Sequence, residues 1–244
     1  MKVVGMVLAL MVVSLMHAQK VVEVNHFDKL IVSPHIQVTI IKGEKESVKI
    51  ISNTEDDSKL NIEVKGKDLR IFLDDAKELT KQEKVSINGN ITKKPIYHGT
   101  VVIAEVTYIE LKDLSIRGEE TFQSQGEFIG ENLDLTIYGD SKVFFDQINL
   151  TDLDATLYGE GYLELKSGII KDQKFTGYGA SKIDVLNIEN EETKLTAYGE
   201  AQFEINAKNR LKITSYGQPT IRYKGNPEIN KGLNFGGVKI SRID

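Results

Sequence analysis

In the second half of the chain, apolar and polar residues alternate with a period of two, and the alternating blocks return with a period of twenty. Leu133, Leu135 and Ile137 lead into Tyr138-Gly139, and Leu153, Ala155 and Leu157 lead into Tyr158-Gly159. Beyond each glycine the apolar positions resume as Val143 and Phe145, Leu163 and Leu165, Ile183 and Val185, Phe203 and Ile205, Ile221 and Tyr223. A period of two predicts strands with one face packed and the other in water. The Tyr-Gly pairs at Tyr138, Tyr158, Tyr178, Tyr198 and Tyr216 are 20, 20, 20 and 18 residues apart. Arg117-Gly118 lies 21 residues before the first and reads as the same unit with its Tyr replaced. Such self-similarity predicts stacked units, none of which can bury its apolar face alone.

Two residues after each glycine stands a small or compact residue: Ser141, Gly161, Ser181, Ala201, Pro219. By parity both positions fall on the inward side, so they predict a corner where backbone crowds the interior. The repeats carry no helical stripe and no leucine-rich spacing, which disfavours strand–helix units. The expected fold is therefore all-β: a right-handed parallel β-solenoid with coils of about 20 residues, rising roughly 4.8 Å per coil. An antiparallel meander would account for the alternation but not for the same residue types returning at a constant interval.

The first half also alternates, as in Ile36-Gln37-Val38-Thr39-Ile40 and in Leu69, Ile71 and Leu73, yet shows no repeat. Residues 20–110 are thus read as an N-terminal β region that extends and caps the rod. Within it, residues 74–94 are charged and poor in apolar side chains, and are expected to form a long excursion with a short helix near Asp75–Lys84. Residues 111–224 hold the repeats, and residues 225–244 are expected to form a C-terminal cap, with Val238 to Ile243 closing the far edge.

Residues 1–19 pair Lys2 with an apolar run from Val3 to Met16 and a small residue, Ala18. A run this short does not reach the roughly 20 residues of a spanning helix, so it is read as a cleaved secretory signal. That places the protein in the periplasm or outside the cell, with no stable membrane insertion after cleavage. The chain contains no Cys, 31 Lys+Arg and 36 Asp+Glu. Thiol nucleophiles, disulfides and thiolate metal sites are excluded, and the acidic balance argues against nucleic acid as a partner.

Five of nine tyrosines occupy the repeat column. Tyr138, Tyr158, Tyr178, Tyr198 and Tyr216 should point outward, one coil apart. One reading makes them an aromatic strip that stacks on sugar rings or on a partner's apolar patch; the other makes them a self-stacking ladder that fixes register. The two are compatible. The next position gives Glu119, Asp140, Glu160, Ala180, Glu200 and Gln218. Its interruptions, with Lys142 and Lys182 nearby, favour a solvated mixed-charge face over a calcium ladder, so neither metal nor cofactor is expected. The histidines His26, His35 and His98 match no metal spacing and read as ordinary surface or edge positions. No nucleophile-elbow, zinc-protease or phosphate-loop motif occurs, and the acids are spread along the rod rather than paired across a cleft. No catalytic residues are assigned.

The leader, the segment from Phe27 to Gly43 (F-D-K-L-I-V…I-Q-V-T-I-I-K-G) and the repeated L-x-I/L-Y-G-[DE]-[SG] units resemble the secreted bacterial family known as auto-transporter adhesin, head GIN domain. The resemblance covers the whole mature chain and implies export and a solenoid-like fold, and it brings no catalytic residues. The expected function is an exported, non-catalytic envelope or surface binding module that meets a glycan or a cell-surface protein along the Tyr face. The alternative is a carbohydrate-active enzyme, a polysaccharide lyase or hydrolase built on a β-helix.

Overall fold

The computed structural model describes residues 20–87 and 90–243; the leader with Ala18 lies outside the described residues. Alternation and repeat become a β-solenoid of about six turns, with parallel bridges about 20 residues apart. On one face, strands Asn132–Gly139, Lys142–Gly159, Gly168–Gly179, Glu192–Gly199 and Arg210–Gly217 stack in register. Leu135, Ala155, Phe175, Leu195 and Ile213 form one continuous buried column there. On the second face Phe122, Val143, Leu163, Ile183, Phe203 and Ile221 form another. A short third face runs from Glu127–Ile129 over Gln147–Asn149 to Gly168 and Ile188. The following unit, the one that is two residues shorter, passes from Asn206 to Arg210 after only three intervening residues.

The corner works differently from the inward crowding the parity implied. The compact residues do turn inward: Ser141, Gly161, Ser181, Ala201 and Pro219 are buried. The glycines do not; Gly139, Gly179 and their equivalents stay partly or fully exposed. Gly159 has φ +110°, and a Cβ there would lie 2.8 Å from the carbonyl oxygen of Gly139. The crowding thus runs along the stack, backbone upon backbone, and only glycine tolerates both the left-handed turn and the contact.

The absence of a visible repeat in the first half has a topological cause. Strand Lys29–Val32 lies between Asp68–Ile71 and Asp113–Ile116, parallel to both. Ile36–Lys42 lies likewise between Val102–Tyr108 and the strand from Thr121. The first rung is therefore an inner one: the chain lays a rung outside it before returning to build the regular stack. Antiparallel strands close this end, with Leu60–Lys65 on Asp68–Leu73, Ser47–Asn53 on Val102–Tyr108, and Lys20–Glu23 on Ser47–Asn53. A change to antiparallel pairing covers an edge that would otherwise template further strands.

Two expectations need correction. The segment Asp75–Lys84 holds no helix: Asp75 takes φ +61° in a turn, and the chain then enters an antiparallel hairpin of Gln82–Ile87 with Asn90–Pro95. A turn-closing bond from Lys81 N to Asp75 O sets this path instead of helical bonds. At the far end, Glu228–Phe235 and Lys239–Arg242 do not fold over the edge. They pair in parallel with Arg210–Gly217 and Thr220–Lys224 and continue the stack, leaving Leu233 and Phe235 exposed.

Candidate binding surface

In-register stacking places the five tyrosines directly above one another. Ring centroids are 5.0 Å apart for Tyr138–Tyr158, 4.6 Å for Tyr158–Tyr178, 4.6 Å for Tyr178–Tyr198 and 5.1 Å for Tyr198–Tyr216, with planes within 7° of parallel. Each inner ring thus spends both faces on its neighbours. The geometry excludes flat stacking of a sugar on the column's side, because only ring edges and hydroxyls point to solvent there; Tyr158, Tyr198 and Tyr216 are each 39 % exposed. Burial between its neighbours, helped by the adjacent Tyr178 and Tyr138, pushes the Tyr158 phenol above its ordinary pKa.

The column is longer than the Tyr-Gly pairs indicate. Phe235 stacks on Tyr216 at 5.6 Å and 19°, and Gly236 behind it has φ +109°. Phe235-Gly236 is the same unit with Phe for Tyr, 19 residues after Tyr216-Gly217, a signal present in the sequence. At the other end the Arg117 guanidinium sits 4.4 Å from the Tyr138 ring centre, a cation–π contact. Glu78 holds that guanidinium at 2.7 Å and also holds Arg70 at 2.6 Å.

Beside the aromatic column runs a second one with the same period. Thr136, Thr156, Thr176, Thr196 and Thr214 stand two residues before each Tyr and stack in register, each buried or half-buried. Two residues before the Thr row lie Asp134 and Asp154, then Lys174, Lys194 and Lys212, with Asp113 stacked on Asp134. Lys29 binds Asp113 at 2.9 Å and Lys174 binds Asp154 at 2.7 Å, leaving Asp134 between two carboxylates. Burial first, then Asp154 and Asp113, raise the Asp134 pKa.

Of the carboxylates after each glycine, Asp140 accepts from the Glu160 backbone N–H at 3.4 Å. Among the described residues no three His, Asp or Glu side chains converge as metal ligands.

At the Arg117 end of the ladder the excursion folds back over the stack and encloses a cleft of about 470 Å³. Its lining includes Pro34, His35, Leu79, Tyr97, Glu120 and Tyr138. His35 is not the surface position its spacing implied. Its side chain is 13 % exposed, its φ is +70°, and its ring bridges the excursion and the segment that follows it. Nδ1 donates to the Gly99 carbonyl at 2.7 Å, and Nε2 meets Thr80 Oγ1 at 2.6 Å. His98 lines the same cleft, whereas His26 lies elsewhere, half exposed against Glu46 at 3.0 Å. No periodic signal joins residues 35, 80, 99 and 117, so sequence alone did not bring them together.

A family profile described as "Putative auto-transporter adhesin, head GIN domain" matches residues 26–227. Among curated proteins no match is found. Crystal structures of similar fold include a "putative adhesin" from Bacteroides fragilis NCTC 9343, with TM-score 0.73 and 18 % identity over 92 % of this chain and 96 % of that one. A "putative adhesin" from Parabacteroides merdae ATCC 43184 has TM-score 0.65 and 16 % identity, covering 92 % and 95 %. A "putative lipid binding protein" from Parabacteroides distasonis ATCC 8503 has TM-score 0.64 and 18 % identity, covering 93 % and 96 %. At these identities the likeness shows the fold.

Proposed function

The chain belongs to the auto-transporter adhesin, head GIN domain family, and we propose on that footing that it is an exported, non-catalytic binding module of the cell envelope or surface that holds an extended glycan along its Thr–Tyr strip. One observation carries the reading: two parallel rows of hydroxyl-bearing side chains, rung upon rung, one half-exposed and one half-buried. A rigid sheet holds these groups at a fixed interval, so a chain of sugar rings can meet them repeatedly with little ordering cost to the protein. Contact is through phenol edges and hydroxyls, because the ring faces are already occupied.

Lipid binding, the description given to one neighbour, finds less support. Phe122, Phe128, Phe145, Phe175 and Phe203 fill the interior, so an acyl chain would have to lie outside the coil. The enzyme alternative finds no support in the acids of the strip, which are spaced by the coil instead of facing each other across a scissile bond.

The test uses the triple variant Tyr158→Phe, Tyr178→Phe, Tyr198→Phe, which keeps every stacked ring and removes only hydroxyls. Retention of the mature protein on peptidoglycan and on immobilised glycans should fall at least tenfold while Tm stays put. Undiminished retention, or release of new reducing ends from any polysaccharide, would overturn the proposal.

A further inference from the structure

The cleft beyond the Arg117 end of the ladder carries chemistry that the strip does not use. Its volume of about 470 Å³ falls within the roughly 300–1,000 Å³ of small-molecule sites, room for one or two sugar rings. Pro34, Leu79, Pro95 and Tyr97 give it apolar walls. Arg117, the permanent cation of this lining, is held between Glu78 and the Tyr138 ring, with its Nε left without a hydrogen-bond partner. The carboxylates of Glu119, Glu120 and Asp140 remain in the lining.

Glu120 decides the ligand. Its side chain is 6 % exposed. Oε2 accepts from the Glu119 backbone N–H at 3.0 Å. Oε1 stands 3.8 Å from His35 Nδ1, outside hydrogen-bond reach, and that nitrogen already donates to Gly99 O. With Oε2 bonded and Oε1 free of hydrogen bonds, this largely buried carboxylate favours a positive donor at Oε1. One free oxygen suits a compact ammonium; a guanidinium fork would want two.

Resting on the glycan reading above, we infer that this cleft is an end-site for an amino sugar, with the primary ammonium on Glu120 Oε1 and the ring against Tyr97 and Leu79. Tyr138 is both the last ring of the ladder and a wall of the cleft, so a glycan laid along the strip delivers its terminal unit here.

Calorimetry on the mature chain compares a glucosamine tetramer with its N-acetylated counterpart. The free-amine oligomer should bind at least tenfold tighter. Glu120→Gln should erase that preference while Tm does not fall, because the amide removes a buried charge and still accepts from the Glu119 N–H. Leu79→Trp, at an exposed position of the wall, should erase it too without touching the carboxylate. The Tyr→Phe triple variant should weaken both oligomers and keep their ratio, so failure of the strip and failure of the cleft read differently. Equal affinity for the two oligomers, no binding of the free amine, or a preference that survives Glu120→Gln would overturn the inference.

Discussion

Tyr178 and Tyr198 lie face to face, ring centroids 4.6 Å apart and planes 3° from parallel. That separation follows from the strand spacing of a parallel sheet, about 4.8 Å, so the backbone repeat dictates the aromatic contact. The column is therefore structural first, and whatever binds it meets a surface already rigid.

The stacking has a measurable consequence for stability. Tyr178 has a partner on each side, and an aromatic pair contributes about 0.5–1.5 kcal/mol beyond buried area. Tyr178→Ala should lower the unfolding free energy by about 1–3 kcal/mol on those grounds, whereas Tyr178→Phe should stay within about 0.5 kcal/mol of the parent. Urea denaturation of both variants decides it; an alanine variant as stable as the phenylalanine one would leave the ladder without energetic weight.

At the corner, Gly159→Ala forces a side chain onto φ +110° with its Cβ 2.8 Å from the Gly139 carbonyl oxygen. The strained conformation alone costs about 1–3 kcal/mol, and the contact adds to it. Lys182→Gln, on an exposed strand position, should change stability by less than about 0.5 kcal/mol. Equal melting temperatures for the two would contradict the backbone-on-backbone corner.

Alkaline pH should unfold the protein through its phenols. Burial raises the pKa of Tyr97, Tyr108, Tyr158 and Tyr162 above the ordinary value of 10.0; at Tyr162 the neighbouring Glu164 adds to it. For a group raised on folding, the stabilisation is complete below its unfolded pKa and is lost as pH climbs towards the folded one. Stability should thus hold to about pH 10 and fall beyond it. Tyr108→Phe, at the most deeply buried of these rings, should flatten that decline in denaturation midpoints taken from pH 8 to 11. An unchanged slope would show that Tyr108 does not drive it.

Asp134 gives the acid-side counterpart. With its pKa raised by partial desolvation, then by Asp154 and Asp113, its ionised form is a cost at neutral pH that disappears as pH falls through the folded pKa. Asp134→Asn should therefore stabilise the protein near pH 7, by under about 1 kcal/mol because water screens an exposed column, and the gain should vanish near pH 3. Destabilisation at pH 7 would mean that the carboxylate makes a favourable contact outweighing its like-charged neighbours.

Legibility tracked periodicity. The column of Tyr138, Tyr158, Tyr178, Tyr198 and Tyr216 could be read from the chain because parallel in-register stacking puts residues one coil apart into contact. Phe235 and the Thr136-to-Thr214 row obey the same rule and were available to the same reasoning. The helix expected near Asp75–Lys84 failed for the complementary reason: charge content describes solvation, and the hairpin there is set by pairing between Gln82–Ile87 and Asn90–Pro95.

What the amino-acid sequence determined by itself was the strand period, the coil length, the inward apolar and outward polar columns of the strands, and the presence, though not the direction, of the glycine at each corner. All of these are local choices repeated until they specify a stack. Tertiary structure decided the rest: that the rung beginning at Lys29 is threaded between two later ones, that antiparallel strands cover one end, and that His35, Arg117 and Glu120 meet Glu78, Thr80 and Gly99 around a cleft. Those partners are joined by chain return across unequal distances, and a contact made once leaves no period to read.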